Sequence, residues 1–260
     1  MSFITSTETS EFIATHDSKK LHVVINRVPA PKGLILLSHG LTGRPKEFVH
    51  VMARRAFNLA GFDVGRLEYY GRTPGARELH ECTLAVHGQD LAATVQHYRG
   101  QYTNLFVAGH SYGGLTMPHA YAVDDGRSFN PDAVSFWDST FVPTWVSFPD
   151  SYRYWPESDT YSYINGQNPR MGRAMYEEAV KYAENPHVEL FNRFTIPSQV
   201  VLAMANEKLG RERARVFECL GGPKELVKIE GADHEFTTLD TAEQLIEHTL
   251  RWFNSYLGPA

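Results

Sequence analysis

The 260-residue sequence predicts an α/β fold built on a mostly parallel sheet, and three observations carry that prediction. Short apolar runs that suit strands alternate with longer stretches carrying apolar residues at helical spacing. The runs Leu34–Leu37 and Leu105–Ala108 are apolar throughout, as strands covered on both faces require. Five chemically capable residues, His39, Ser111, Asp138, Glu207 and His234, each fall just after a predicted strand, where open parallel sheets gather ligands.

Residues 1–10 are polar and read as loose, and Glu11–Ser18 and Leu21–Arg27 read as paired strands joined near Asp17-Ser18-Lys19. Pro29-Ala30-Pro31-Lys32-Gly33 breaks the chain before the buried strand Gly33–Ser38, which runs into the turn His39-Gly40-Leu41-Thr42-Gly43. Phe48, Val51, Met52, Phe57 and Leu59 mark a helix over Pro45–Ala60. Gly61–Leu67 is the next strand, Glu68–Gly75 a long turn, and Leu84, Leu91, Val95 and Tyr98 mark a helix over Cys82–Tyr102. A strand at Leu105 leads to Ser111 and a further helix, which Pro118 is expected to bend because it removes a backbone donor.

Ala133–Trp137 is a strand ending at Asp138, and beyond it the pattern changes. Residues 139–195 hold 12 of the chain's 32 aromatic residues and several prolines, with no clear buried strand. The strand and helix rhythm resumes with strand Gln199–Met204, helix Arg211–Cys219 and strand Leu226–Ile229. A final amphipathic helix over Thr241–Tyr256 puts Ala242, Leu245, Ile246, Leu250 and Phe253 on one face. The expected organisation is therefore a core of residues 1–138 and 196–260 with an inserted, aromatic-rich segment at 139–195.

Bulk properties remove several function classes. A net charge of −5 leaves no basic footprint for nucleic acid. No apolar run approaches a membrane span, and Met1–Glu8 lacks the basic start and apolar centre of a signal peptide. Cys82 and Cys219 cannot build a disulfide scaffold and read as reduced thiols within helices, so a cytoplasmic setting is expected.

Gly109-His110-Ser111-Tyr112-Gly113 between a strand and a helix is what a nucleophile elbow needs. A serine hydroxyl needs a base, and His234, in the loop ahead of the last helix, is the candidate. The imidazole in turn needs an acidic partner; Glu207 is favoured, with Asp138 as its rival, whereas Asp233 adjoins the base and points elsewhere. Backbone N–H groups of Leu41 and Tyr112 are the expected oxyanion donors, with His39 bracing the first of those turns.

Leu37-Ser38-His39-Gly40-Leu41, Gly61-Phe62-Asp63-Val64, Gly109–Gly114 and Gly231-Ala232-Asp233-His234 together resemble the α/β-hydrolase superfamily. The likeness is to its small serine esterases, monoglyceride-lipase-like enzymes and serine-aminopeptidase-like proteins, and it covers residues 20–138 and 196–256. It implies an eight-stranded, mostly parallel sheet flanked by helices, a Ser–acid–His triad, a small lid at the inserted segment, and neither a metal nor an organic cofactor. Relatives usually carry Asp after the seventh strand, where this chain has Met204-Ala205-Asn206-Glu207, and Asp-x-Arg-Gly-His where it has Glu68-Tyr69-Tyr70-Gly71-Arg72.

The expected activity is hydrolysis of a carboxylic ester through an acyl-enzyme on Ser111, with thioesters and small amides open to the same machinery. Trp145, Phe148, Tyr154 and Trp155 are candidates for contacting an apolar part of a small acyl substrate. Competing readings are a non-catalytic receptor or interaction module on the same fold, and a lyase or perhydrolase using the same residues. The oligomeric state is left open.

Overall fold

Alternate residues of the inner strands face two separate hydrophobic layers. In β3 (Leu34–Ser38), Leu34 and Leu36 join one layer and Ile35 and Leu37 the other; in β5 (Leu105–His110), Leu105 and Val107 oppose Phe106 and Ala108. Burial on both faces is the physical reason those runs lack the polar alternation of a half-exposed strand.

The computed structural model describes residues 6–71, 73–147, 149–164 and 170–258, and within them eight strands form one sheet. The further strands of that sheet are β1 (Thr7–Ala14), β2 (Lys20–Arg27), β4 (Asp63–Glu68), β6 (Ala133–Trp137), β10 (Ser198–Ala203) and β11 (Lys224–Ile229). Their spatial order is β1-β2-β4-β3-β5-β6-β10-β11, parallel from β4 onward, with β2 antiparallel to both of its neighbours. The expected α/β-hydrolase fold is therefore present.

Helices α1 (Phe48–Leu59) and α7 (Thr241–Asn254) cover one face through Val49, Ala53, Phe57, Leu245, Ile246 and Phe253. Helices α2 (Leu84–Arg99), α3 (Tyr112–Ala122) and α6 (Glu207–Cys219) cover the other through Leu91, Val95, Leu115, Met117 and Val216. Within 139–195 lies a second sheet of β7 (Tyr152–Trp155), β8 (Thr160–Tyr163) and β9 (Met171–Gly172), followed by α4 (Arg173–Glu184) and α5 (Val188–Arg193). These strands are two to four residues long, too short to leave a period in the sequence.

Several element boundaries differ from expectation. The first strand begins at Thr7, because Thr7–Ser10 pair with β2 while their side chains stay exposed at the sheet edge. Cys82 lies outside any α-helix; it follows a short 3-10 turn, and Thr83 Oγ1 accepts from Val86 N–H at 3.1 Å to start α2. As expected, helix α3 persists through Pro118, since every residue from Tyr112 to Ala120 is buried and packing outweighs the lost donor. Among the described residues no helix is long and apolar enough to cross a membrane.

Burial also sets how the fold responds to acid. His39, His50, His87, His110, His119 and His187 are all held below the usual imidazole range by desolvation, His39 and His187 to about 4 and His119 to about 3. The unfolded chain takes up protons near pH 6.5 while the folded chain resists them. Stability present above pH 6.5 is thus lost toward pH 4, by up to about 1.4 kcal/mol per pH unit for each ring. Glu47 and Asp90, raised to about 7 by burial, act in the opposite sense and offset part of that loss. The urea midpoint is expected to fall as pH drops from 6.5 to 4.5 at fixed ionic strength; a flat or rising midpoint would contradict this balance.

Candidate active site

Ser111 occupies the turn from β5 into α3 with φ 55° and ψ −120°. Such a backbone costs a non-glycine residue roughly 1–3 kcal/mol, so the surroundings must impose it. They do so by close approach. A Cβ on Gly109 would lie 2.5 Å from Gly113 O, and one on Gly113 only 2.2 Å from Ser38 O. The Ser111 N–H also donates to Trp137 O at 3.0 Å, which ties the turn to β6.

Gly113→Ala is expected to lower stability by about 2–3 kcal/mol, because the added methyl meets backbone that cannot swing aside. Gly100 is the control: it has φ −73° and nothing within 4 Å of an added Cβ. There alanine is expected to be neutral or to stabilise by about 0.5 kcal/mol, both read by urea denaturation.

The imidazole arrives from the loop after β11. Ala205 N–H donates to Ala232 O at 2.8 Å, and His110 Nε2–H donates to His234 O at 2.8 Å, so that loop is held on two sides. Asp233 is consumed locally, accepting from Thr237 N–H at 2.6 Å. His234 Nε2 lies 2.9 Å from Ser111 Oγ, and its Nδ1 lies 2.6 Å from Asp138 Oδ2. A carboxylate only accepts, so Nδ1 carries the proton and Nε2 is free to accept from the hydroxyl.

Asp138 follows β6 with φ 42°, and its side chain is fully buried. Oδ1 accepts from Ala203 N–H at 3.0 Å, and Oδ2 is shared between His234 and the Arg213 guanidinium of α6. Glu207, the expected acidic partner, is not in this arrangement and the expectation is corrected. Asn206 Oδ1 accepts from Leu209 N–H at 3.2 Å and caps α6, which makes Glu207 the first helical residue. Its side chain is 79 % exposed and faces Arg211 at 3.7 Å, where a carboxylate suits the helix amino terminus.

Gly40 lies against Ser111: a Cβ there would sit 3.2 Å from Ser111 Cβ. Among the described residues neither the Leu41 N–H nor the Tyr112 N–H has a hydrogen-bond acceptor, which leaves both able to receive one. His39 supports the first turn. Its Nδ1–H donates to Gly40 O at 2.8 Å and its Nε2 accepts from Tyr69 N–H at 3.4 Å, a neutral ring bonded at both ends.

Three of the four candidate substrate contacts are held by partners within the inserted segment. Trp145 is buried among Tyr152, Tyr161 and Tyr176. Tyr154 bonds to Asp159 and Arg173, and Trp155 to Ser162 beneath Arg153 and Arg170. Phe148 lies outside the described residues. Two residues of the site escaped the sequence reading. His110 stood inside the Gly-x-Ser-x-Gly pattern as a variable position, and Arg213 carried no signal beyond helical spacing.

A hydroxyl, a carboxylate and an imidazole thus stand in hydrogen-bonded succession at the carboxyl ends of β5, β6 and β11 of a parallel sheet. Comparison with known proteins names the group. The chain belongs to the alpha/beta hydrolase family, whose model matches residues 34–248. No curated protein sequence matches the chain. Among solved structures it is similar to Est1E from Butyrivibrio proteoclasticus with ferulic acid bound, at 19 % identity over 94 % of this chain and 99 % of that one, TM-score 0.73. The esterase domain of a Rhodothermus marinus protein is similar at 20 % identity over 97 % and 100 % of the two chains, TM-score 0.72. The alpha/beta hydrolase GrgF from Penicillium sp. sh18 is similar at 14 % identity over 96 % and 99 %, TM-score 0.76.

Proposed function

We propose that this protein is a serine hydrolase that cleaves a carboxylic ester through an acyl-enzyme on Ser111. The observation that carries the reading is the unbroken line from Ser111 Oγ through His234 to Asp138, at 2.9 and 2.6 Å. Ser111 Oγ attacks the ester carbonyl carbon as its proton passes to His234 Nε2. Buried Asp138 holds the imidazole in the required tautomer and stabilises the imidazolium that forms. Leu41 and Tyr112 donate their N–H groups to the oxyanion of the tetrahedral intermediate. Collapse breaks the bond to the alcohol oxygen, which leaves with the proton from His234. Water then repeats the sequence on the acyl-enzyme, releasing the acid and restoring Ser111.

Esters are favoured over thioesters and amides because one of the similar structures is named an esterase domain and another, Est1E, holds ferulic acid. Residues 139–195 act in this reading as a lid over the carboxyl ends of the strands. Among the described aromatic candidates, Trp145 shares a hydrophobic layer with Tyr112 and is the one assigned to border an apolar acyl group.

The test uses a fluorophosphonate probe and a series of p-nitrophenyl esters of increasing acyl length. Wild type should take up one probe per chain and hydrolyse the shorter esters, and Ser111→Ala should do neither. Folded wild-type protein that ignores the probe and every ester would overturn the reading.

A further inference from the structure

We propose that His110, His234 and Glu235 form a binding site for a divalent transition-metal ion of the Zn2+ type, whose occupation shuts off the active centre. The shut-off rests on the hydrolase reading above; the binding itself does not. One ring nitrogen of each histidine and one Glu235 carboxylate oxygen lie within 4.8 Å of one another. A single ion with bonds of about 2.0–2.2 Å gathers such a set through small side-chain rotations. Glu235 is exposed and His110 buried, so the set has both an entrance and an anchor.

The state of His110 is set by its surroundings. Its Nε2 faces the backbone carbonyl of His234, and a carbonyl only accepts, so Nε2 carries the hydrogen. The ring is 2 % exposed. In the tautomer that donates from Nε2 the lone pair sits on Nδ1, which is buried and, among the described residues, has no hydrogen-bond partner. A buried acceptor left unmade costs free energy that a bound cation would recover.

Imidazole and carboxylate donors together suit Zn2+, Cu2+ or Ni2+, whereas Mg2+ and Ca2+ favour sites made of oxygen alone.

The consequence follows from how His234 is already used. Its Nε2 accepts from Ser111 and its Nδ1–H donates to Asp138. An ion taking the Nε2 lone pair leaves the Ser111 proton with nowhere to go. An ion taking Nδ1 sends that proton to solvent and separates the ring from Asp138. Either way the imidazole stops serving as a base.

The experiment titrates Zn2+ calorimetrically into chelator-treated wild type, Ser111→Ala and Glu235→Gln, and follows fluorophosphonate labelling of Ser111 as Zn2+ is raised. Wild type and Ser111→Ala should bind one Zn2+ per chain. Glu235→Gln should bind more weakly by at least the roughly tenfold that losing even an outer-shell partner costs. Labelling of wild type should slow in proportion to occupancy, recover with excess EDTA, and ignore Mg2+. Absence of stoichiometric binding, unchanged affinity in Glu235→Gln, or undiminished labelling at saturating Zn2+ would each overturn the proposal. If the protein binds one Zn2+ through Glu235 but shows no labelling or ester hydrolysis at all, the site stands and the hydrolase reading falls.

Discussion

Ser111→Ala is expected to lower kcat for a short p-nitrophenyl ester by on the order of 10^4- to 10^6-fold, with folding stability nearly unchanged. Alanine removes the atom that the proposed mechanism acylates, so the remaining rate would reflect water attacking a carbonyl held by the proposed oxyanion donors. Stability is spared because the turn is imposed from outside the side chain. The close approach of Gly113 to Ser38 and the Ser111 N–H bond to Trp137 O persist in the variant. Initial rates at saturating ester and a urea midpoint, measured on the same preparation, check both halves. A loss smaller than about tenfold would mean that another group is the nucleophile.

Asp138→Asn is expected to lower kcat by about 10^4-fold, while Glu207→Gln stays within about twofold of wild type, as surface substitutions of an exposed pair do. The amide of asparagine donates as well as accepts, so it no longer selects the tautomer with hydrogen on Nδ1. It also leaves no charge to balance the imidazolium or the guanidinium of Arg213, which pairs with the same carboxylate. Breaking a buried pair by removing one partner costs roughly 3–5 kcal/mol, so the variant should also lose stability. The kinetic effect is separated from that loss by assaying at a temperature where circular dichroism reports a fully folded variant. If Glu207→Gln were the inactive member of the two, the geometry at Asp138 would have no bearing on the chemistry.

Much of this arrangement could be read without coordinates because strand periodicity and glycine carry strong physical signals. A strand buried on both faces must be apolar throughout, and Leu34–Leu37 and Leu105–Ala108 announced the middle of the sheet. Gly109 and Gly113 marked a turn where two backbones nearly touch. The acid was less legible. Asp138 and Glu207 both follow strands, and only the coordinates show that Asn206 starts α6 one residue before Glu207 and so turns its carboxylate to solvent. The cap was present in the sequence, but its effect depends on where the chain leaves β10. The small second sheet was illegible for a different reason. Strands of two to four residues have no period to detect, and their rings are satisfied by neighbours distant in sequence, as Tyr161 is by Tyr176 at 4.2 Å.

Under the proposed mechanism, a carboxylate at the end of β6 shortens the stretch of chain that must be correct for the chemistry. The hydroxyl and its distant acid come from neighbouring parallel strands, β5 and β6, whose register pairs His110 with Trp137. The outward-facing start of α6, with Glu207 and Arg211, faces solvent away from this carboxylate, although Arg213 further along pairs with Asp138. That short solvent-facing arc is a natural place for a dye, an affinity handle or a linker to a surface, where attachment would leave the reacting atoms undisturbed.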